Sequence, residues 1–208
     1  MKLVKYITRS YSLRDHVIIV QSLYKKNTSI PEIYYTSVAD VSVNGLMDIY
    51  INQKDFQNNI NRLQKVINKL GYIPNKIKEG EKAIKNLHNL SLGFKNNKFD
   101  LSDKEIIEVI KLVKKRLFDF SGFFEFTHYI GRTDIKLSSA QIKKLGNFHD
   151  RRKDAFLSAF NFLNSIFERA LKNTSIVNKK LNFLTTEEII DYFRGKIDEK
   201  YVNREQVK

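Results

Sequence analysis

The pattern of apolar and polar positions changes character near Asn52. Before it, apolar residues come in short β-branched or aromatic runs: His16-Val17-Ile18-Ile19-Val20, then Ile33-Tyr34-Tyr35, then 38–43 and 46–51. The last two runs flank Asn44-Gly45, a dipeptide that favours the tight turn of a two-residue hairpin, so two short strands are predicted there. After Asn52 the apolar residues recur every three or four positions, the repeat of one helical face. The expected fold class is mainly α, a helical bundle with a small N-terminal β region. Residues 1–52 would form the β-rich platform and residues 53–208 the helical bundle domain.

Local signals delimit the helices. The first starts at Asn52 or Asp55, aligns Phe56, Ile60, Leu63, Ile67 and Leu70, and meets Gly71 as its stop. Pro74 opens a second that runs to about Leu90 along Ile77, Ala83, Ile84 and Leu87, weakened by Gly80, and residues 91–100 read as a polar loop. Ser102-x-x-Glu105 is a capping box, in which serine oxygen and glutamate carboxylate each satisfy a free backbone N–H. It precedes a long helix with Ile106, Ile110, Val113, Leu117 and Phe120 inward. Its continuation over 118–126 is apolar nearly all round, and Gly131 ends it. After a link at 132–137, Ser138 caps another long helix. That helix carries Arg151-Arg152-Lys153 and then an apolar stripe of Phe156, Ala159, Phe160, Leu163, Phe167, Ala170 and Leu171. A polar turn, the apolar anchor Leu181-Asn182-Phe183-Leu184 and a capping box of Thr185 with Glu188 introduce a final helix.

Composition narrows the function classes. The chain of 208 residues, 42% hydrophobic and 12% aromatic, is long enough to bury one proper core. Absence of cysteine excludes disulfides, zinc-thiolate sites and thiol catalysis, and fits a cytoplasmic protein. The first residues, MKLVKYITRSYS, lack the continuous apolar core of a signal peptide, and no run is long enough to span a membrane. The net charge of +14, from 37 Lys and Arg against 23 Asp and Glu, favours a polyanionic partner such as nucleic acid. Lysine scattered among asparagine and isoleucine also follows from an AT-rich coding bias, which weakens that inference.

Candidate chemistry is sparse. Of the four histidines, His16, His88, His128 and His149, none stands at a recognised metal spacing from another ligand, so no metal site and no cofactor is expected. His128 ends an apolar helix, the position of a core histidine. His149 stands beside Asp150, but adjacent helical residues do not face each other, so no catalytic residue is assigned. Paired carboxylates such as Glu187-Glu188 lie in first helical turns, where they complement the helix dipole. One binding surface remains: Lys143, Lys144, His149, Arg151, Arg152 and Lys153 as an anion- or phosphate-binding face. A solvated or salt-bridging face is the simpler account of the same residues, because Phe156, Phe160 and Phe167 follow core spacing and form no stacking platform.

The order of several short motifs resembles the helical central region of phosphoenolpyruvate-utilising enzymes, the family of phosphoenolpyruvate synthase and pyruvate, phosphate dikinase. These motifs are Thr8-Arg9-Ser10-Tyr11-Ser12-Leu13, the tyrosine-rich Ile49-Tyr50-Ile51 with the helix that follows, and Leu101-Ser102-Asp103-Lys104-Glu105. The helix headed by Arg151 to Lys153 comes next, then the most specific stretch, Phe183-Leu184-Thr185-Thr186-Glu187-Glu188-Ile189-Ile190, and finally Asn203-Arg204-Glu205. The family's Thr-Ser-His phosphohistidine motif, its ATP-grasp nucleotide site and its phosphoenolpyruvate barrel have no counterpart in the sequence. The resemblance therefore implies a connecting domain without chemistry of its own, whose partners are ATP-grasp and phosphohistidine domains in cis or in trans. The alternative is a stand-alone basic helical protein that binds nucleic acid or another polyanion.

Overall fold

A computed structural model describes residues 2–9, 20–24, 28–43, 46–95, 101–133, 135–172, 174, 176, 178–181 and 184–203. Its architecture is mainly α, a helical bundle with one small antiparallel sheet near the N-terminus. The strands are β1 (Leu3–Arg9), β2 (Val38–Val43) and β3 (Leu46–Asn52), in the order β1-β3-β2. The strands at 38–43 and 46–52 match the expected hairpin arms, while Asn44 and Gly45 lie outside the described residues. Strand β1 was not anticipated, because Lys5 interrupts its apolar residues. Of the run 16–20, only Val20 lies within the described residues, and it is helical. Tyr35 makes only an isolated bridge to Tyr24 rather than joining a strand.

The pairing of β1 with β3 slips once. Lys5 faces Tyr50 and Ile7 faces Ile49, so Tyr6 is the extra residue of a β-bulge. Bulges re-aim the side chain they carry, and Tyr6 is turned toward the helices.

Seven helices follow among the described residues: α1 (Gln53–Ile67), α2 (Tyr72–Lys95), α3 (Asp103–Ile130), α4 (Ser139–Ala170), α5 (Asn178–Leu181), α6 (Thr186–Phe193) and α7 (Glu199–Asn203). The anticipated caps are in place. Asn52 accepts from the Lys54 N–H, and Ser102, Ser138 and Thr185 each close a capping box, with Glu105, Gln141 and Glu188.

Four sequence expectations are corrected. Helix α1 ends at Ile67 with Asn68 as its cap, so Leu70 leaves the apolar face and is fully exposed. Gly71 takes the left-handed φ of +79° in the turn beyond it. Helix α2 begins at Tyr72, with Pro74 in its first turn where a missing N–H costs nothing. It also continues to Lys95, through half of the expected loop, because Ser91 and Gly93 only weaken a helix that is already propagating. Gly80 is in addition a close-packing point: a Cβ there would fall within 3.0 Å of the Phe148 ring. Finally, the turn after α4 contains the one-turn helix α5.

Helices α2, α3 and α4 pack on one another, and α1 joins α3 to the sheet. A single apolar cluster runs from Ile33 and Ile51 through Leu63, Leu87, Val113, Phe120 and Phe167 to Leu184 and Ile189. The boundary at Asn52 is thus a change of secondary structure within one continuous core. Each large side chain in it contributes roughly 1.5–3 kcal/mol by leaving water. Gly122 completes the fit, since a Cβ there would press within 3.0 Å of the Ile30 backbone nitrogen.

Candidate functional site

Two polar clusters meet along α3. The first is buried. Leu117, Ser121, Glu125 and Tyr129 follow one another at four-residue spacing, which stacks them on one helical face, and all four are buried. Asp55, Asn59, Leu63 and Ile67 do the same on α1. Where these two ladders and the bulge of β1 converge, polar groups replace apolar ones.

Glu125, only 5% exposed, is the centre. Its Oε2 accepts the hydroxyls of Tyr6 from β1 and of Tyr35 from the segment before β2, the latter at 3.4 Å. The Tyr35 and Tyr129 hydroxyls lie 2.9 Å apart, and Asn59 Nδ2 donates to Tyr129 at 3.1 Å. Asn59 Oδ1 in turn accepts from Arg62 Nη2 and from the Tyr34 N–H. With Tyr35 donating to Glu125, Tyr129 must donate to Tyr35. All the donors then point one way, from Arg62 through Asn59, Tyr129 and Tyr35 to the carboxyl, an arrangement in which each bond polarises the next. Beside it, Asp55 Oδ2 accepts both the N–H and the hydroxyl of Thr36 at 2.7 Å. Phe56 fills the space between, its ring 5.4 Å from that of Tyr129, and the Arg132 guanidinium lies over its other neighbourhood at 5.0 Å.

Burial sets the electrostatics here. Desolvation pushes the Glu125 carboxyl above the usual carboxylate range, although the Tyr6 hydrogen bond and the positive Arg152 and Arg132 pull it back. Tyr6, Tyr35 and Tyr129 are pushed upward, first by their own desolvation and then by the nearby carboxylate, so the phenols stay protonated. The cluster can hold a proton and bind the sheet to the helices.

The second cluster is the basic head of α4, where the anion-binding face was expected. The structure does not bring those six residues together as one surface. Successive helical residues are about 100° apart, so Arg151, Arg152 and Lys153 fan out. Lys143, Lys144, His149, Arg151 and Lys153 are exposed, and Arg151 pairs with Glu81 of α2. Arg152 points inward and is 2% exposed. Its guanidinium stacks over the Phe124 ring at 4.1 Å, and Nη1 donates to the Phe124 carbonyl at 2.7 Å. Nη2 donates to His149 Nδ1 at 2.8 Å, which also lies 3.2 Å from Thr127 Oγ1. The His128 and His149 rings meet edge to face, 6.0 Å between centroids. Desolvation first, and Arg152 next, hold His149 below its ordinary value.

The residues that matter most in this region, Glu125, Tyr6, Tyr35, Tyr129 and Asn59, were not singled out from the sequence. An acid between Phe124 and Phe126, four residues before a tyrosine, was the available signal. Among the described residues no group of three or more His, Asp or Glu is placed to hold a metal ion. No helix among them is long and apolar enough to cross a membrane. A hollow lined by Asn61, Gln64 and Lys65 sits on the side of α1 turned away from Asp55 and Asn59. No protein-family model matches the chain, nor does any curated protein or solved structure.

Proposed function

We propose that the chain is the connecting helical domain of a phosphoenolpyruvate synthase-like phosphotransferase, which holds an ATP-grasp domain and a phosphohistidine domain at a set separation in the cytoplasm. The observation that carries this reading is the join between the long basic-headed helix and the last capped helix. Helix α4 runs for 32 residues from its Ser138 cap, and the Leu181 and Leu184 anchor is buried behind it. The Thr185 and Glu188 capping box then starts α6 on that anchor, with Ile189 inside. Two of the motifs that carry the family resemblance, the basic-headed helix and Leu184 to Ile190, thus meet where one rigid element is fixed against the next. Rigid spacing is what a connector supplies, and the buried Glu125 adds to it by holding Tyr6 of β1 to the bundle.

The test is the intact mass of the polypeptide that carries this sequence in its native source, read with isothermal titration of the isolated chain against ATP. A polypeptide well above 24.5 kDa that includes ATP-grasp and phosphohistidine domains, or a 24.5 kDa chain that co-purifies with them, is expected. The isolated chain should bind no ATP. Millimolar or tighter ATP binding by the isolated chain, or a native chain that associates with neither domain, overturns the reading.

The runner-up is a polyanion-binding protein, favoured by the +14 charge and the exposure of Lys143, Lys144, Arg151 and Lys153 on α4. It requires salt-sensitive binding to duplex or single-stranded nucleic acid. That binding must weaken when Lys143, Lys144, Arg151 and Lys153 are changed together to Ala; unaltered low-salt binding removes this face as the site.

A further inference from the structure

Packing of α2, α3 and α4 on one another gives α4 two covered flanks and one outward face. Arg152 and Phe156 turn to Phe124 of α3, and Phe148 turns to Gly80 of α2. Along the third face lie Ile142, Gly146, Lys153 and Leu157, all exposed and within an arc of ~60° at the helical repeat. Ile142 is 57% and Leu157 51% exposed, the two large apolar side chains of α4 that the bundle leaves in water. Gly146 lies inside the helix, where glycine is destabilising, yet a Cβ there would meet nothing within 4 Å. Gly80 and Gly122 have a packing reason within the molecule, and Gly146 has none among the described residues. The four positions stand four, seven and four residues apart, a spacing that reads the same in both directions.

We infer that this face of α4 binds a second copy of the chain, helix against antiparallel helix, about a two-fold axis between His149 and Asp150. A two-fold contact requires that each residue which meets another is met by it in return. The register that satisfies this sets Ile142 against Leu157 of the other copy, and Gly146 against Lys153. The seam is roughly 22 Å long at the helical rise, with an apolar pair at each end. At Gly146 the missing side chain leaves room for the Lys153 stem of the other copy to lie on the helix.

The charges fit the same register. Lys143 and Asp154 lie on one edge of the face, and the two-fold brings Lys143 of each copy beside Asp154 of the other. Lys153 of each copy reaches Asp150 of the other. Within one chain, Lys143, Asp150, Lys153 and Asp154 are exposed and form no ion pair among the described residues. Acids interleaved with the lysines repel a phosphate backbone, but they complete a self-complementary surface.

The experiment is sedimentation equilibrium of the 208-residue chain from about 1 to 200 μM, with circular dichroism of every variant. A reversible equilibrium between 24.5 kDa and twice that mass is expected. Its dissociation constant should fall between about 1 and 100 μM, the range of a small interface. Leu157→Lys removes the apolar pair at both ends and should weaken the dimer at least about tenfold. Asp154→Lys sets Lys143 against a like charge and should weaken it about threefold to tenfold; adding Lys143→Asp reverses both charges and should restore it to within about twofold. Each replaced side chain is exposed, so the variants should keep the wild-type helix content. A chain that stays at 24.5 kDa throughout, a dimer indifferent to Leu157→Lys, or an Asp154→Lys defect that Lys143→Asp does not repair overturns the inference. A monomer that instead binds duplex DNA through Lys143 and Lys153 gives the face to nucleic acid and overturns it equally.

Discussion

Arg151 and Arg152 are neighbours in sequence and opposites in the molecule. Arg151 reaches out to Glu81 with its side chain about half exposed, whereas Arg152 lies against Phe124 and supplies charge to a buried carboxyl. The outer residue exchanges one set of water contacts for a screened pair. The inner one has given up almost all its water, and its Nη1 and Nη2 donate within the protein, to the Phe124 carbonyl and to His149. The pair teaches that a basic run along a helix is not one feature: the helical repeat assigns each member to its own environment, and the environment fixes what the charge is for.

Substitutions at the two clusters sharpen that contrast. The largest effect is expected for Arg152→Ala, which removes buried packing on Phe124, the donors to the Phe124 carbonyl and to His149, and one of the two cations acting on Glu125. A loss of about 3–5 kcal/mol in urea unfolding is expected. A loss under about 1 kcal/mol would place Arg152 with the surface charges. Tyr6→Phe keeps the ring and removes the hydroxyl that reaches Glu125, at about 1–2 kcal/mol. Amide exchange in β1 should accelerate in that variant more than exchange in α4, because the bond ties the sheet to α3.

Glu125→Gln is expected to act on pH dependence more than on the midpoint at any one pH. The native carboxyl has a raised pKa, so the folded chain holds its proton after the unfolded chain has lost it. Wild-type stability therefore falls as pH rises from about 4.5 through the native value, then levels off. The glutamine variant should lack that fall, and urea midpoints taken across this range check it. The smallest effect belongs to Arg151→Ala, below about 1 kcal/mol and shrinking further with added salt.

The helix starts were legible because capping is local: Ser102 with Glu105 and Thr185 with Glu188 satisfy each other across three residues, whatever packs on them. The fold class and the hairpin arms follow from periodicity in the same way. Strand β1 was not legible, because Lys5 interrupts its apolar residues and its pairing partners are 38 to 49 residues away. Arg152 was misplaced for another reason. It sits four residues after Phe148 and four before Phe156, squarely on the apolar stripe, but its neighbours Arg151 and Lys153 invite reading by charge rather than by spacing. Glu125 was passed over inside an aromatic run for the converse reason: its burial depends on hydroxyls from Tyr6 and Tyr35, supplied by segments 119 and 90 residues away in the chain.

The bulge at Tyr6 has a consequence in time as well as in space. Strand β1 is synthesised before β3, and their pairing needs only residues 3–52. The residue that the bulge turns inward must wait for Glu125, 119 positions later. At a synthesis rate of about 5–20 residues per second, that is a delay of roughly 6–24 seconds. Throughout it Tyr6 is without its carboxylate, and a strand made before the helices of the bundle is among the last elements to be fastened to them.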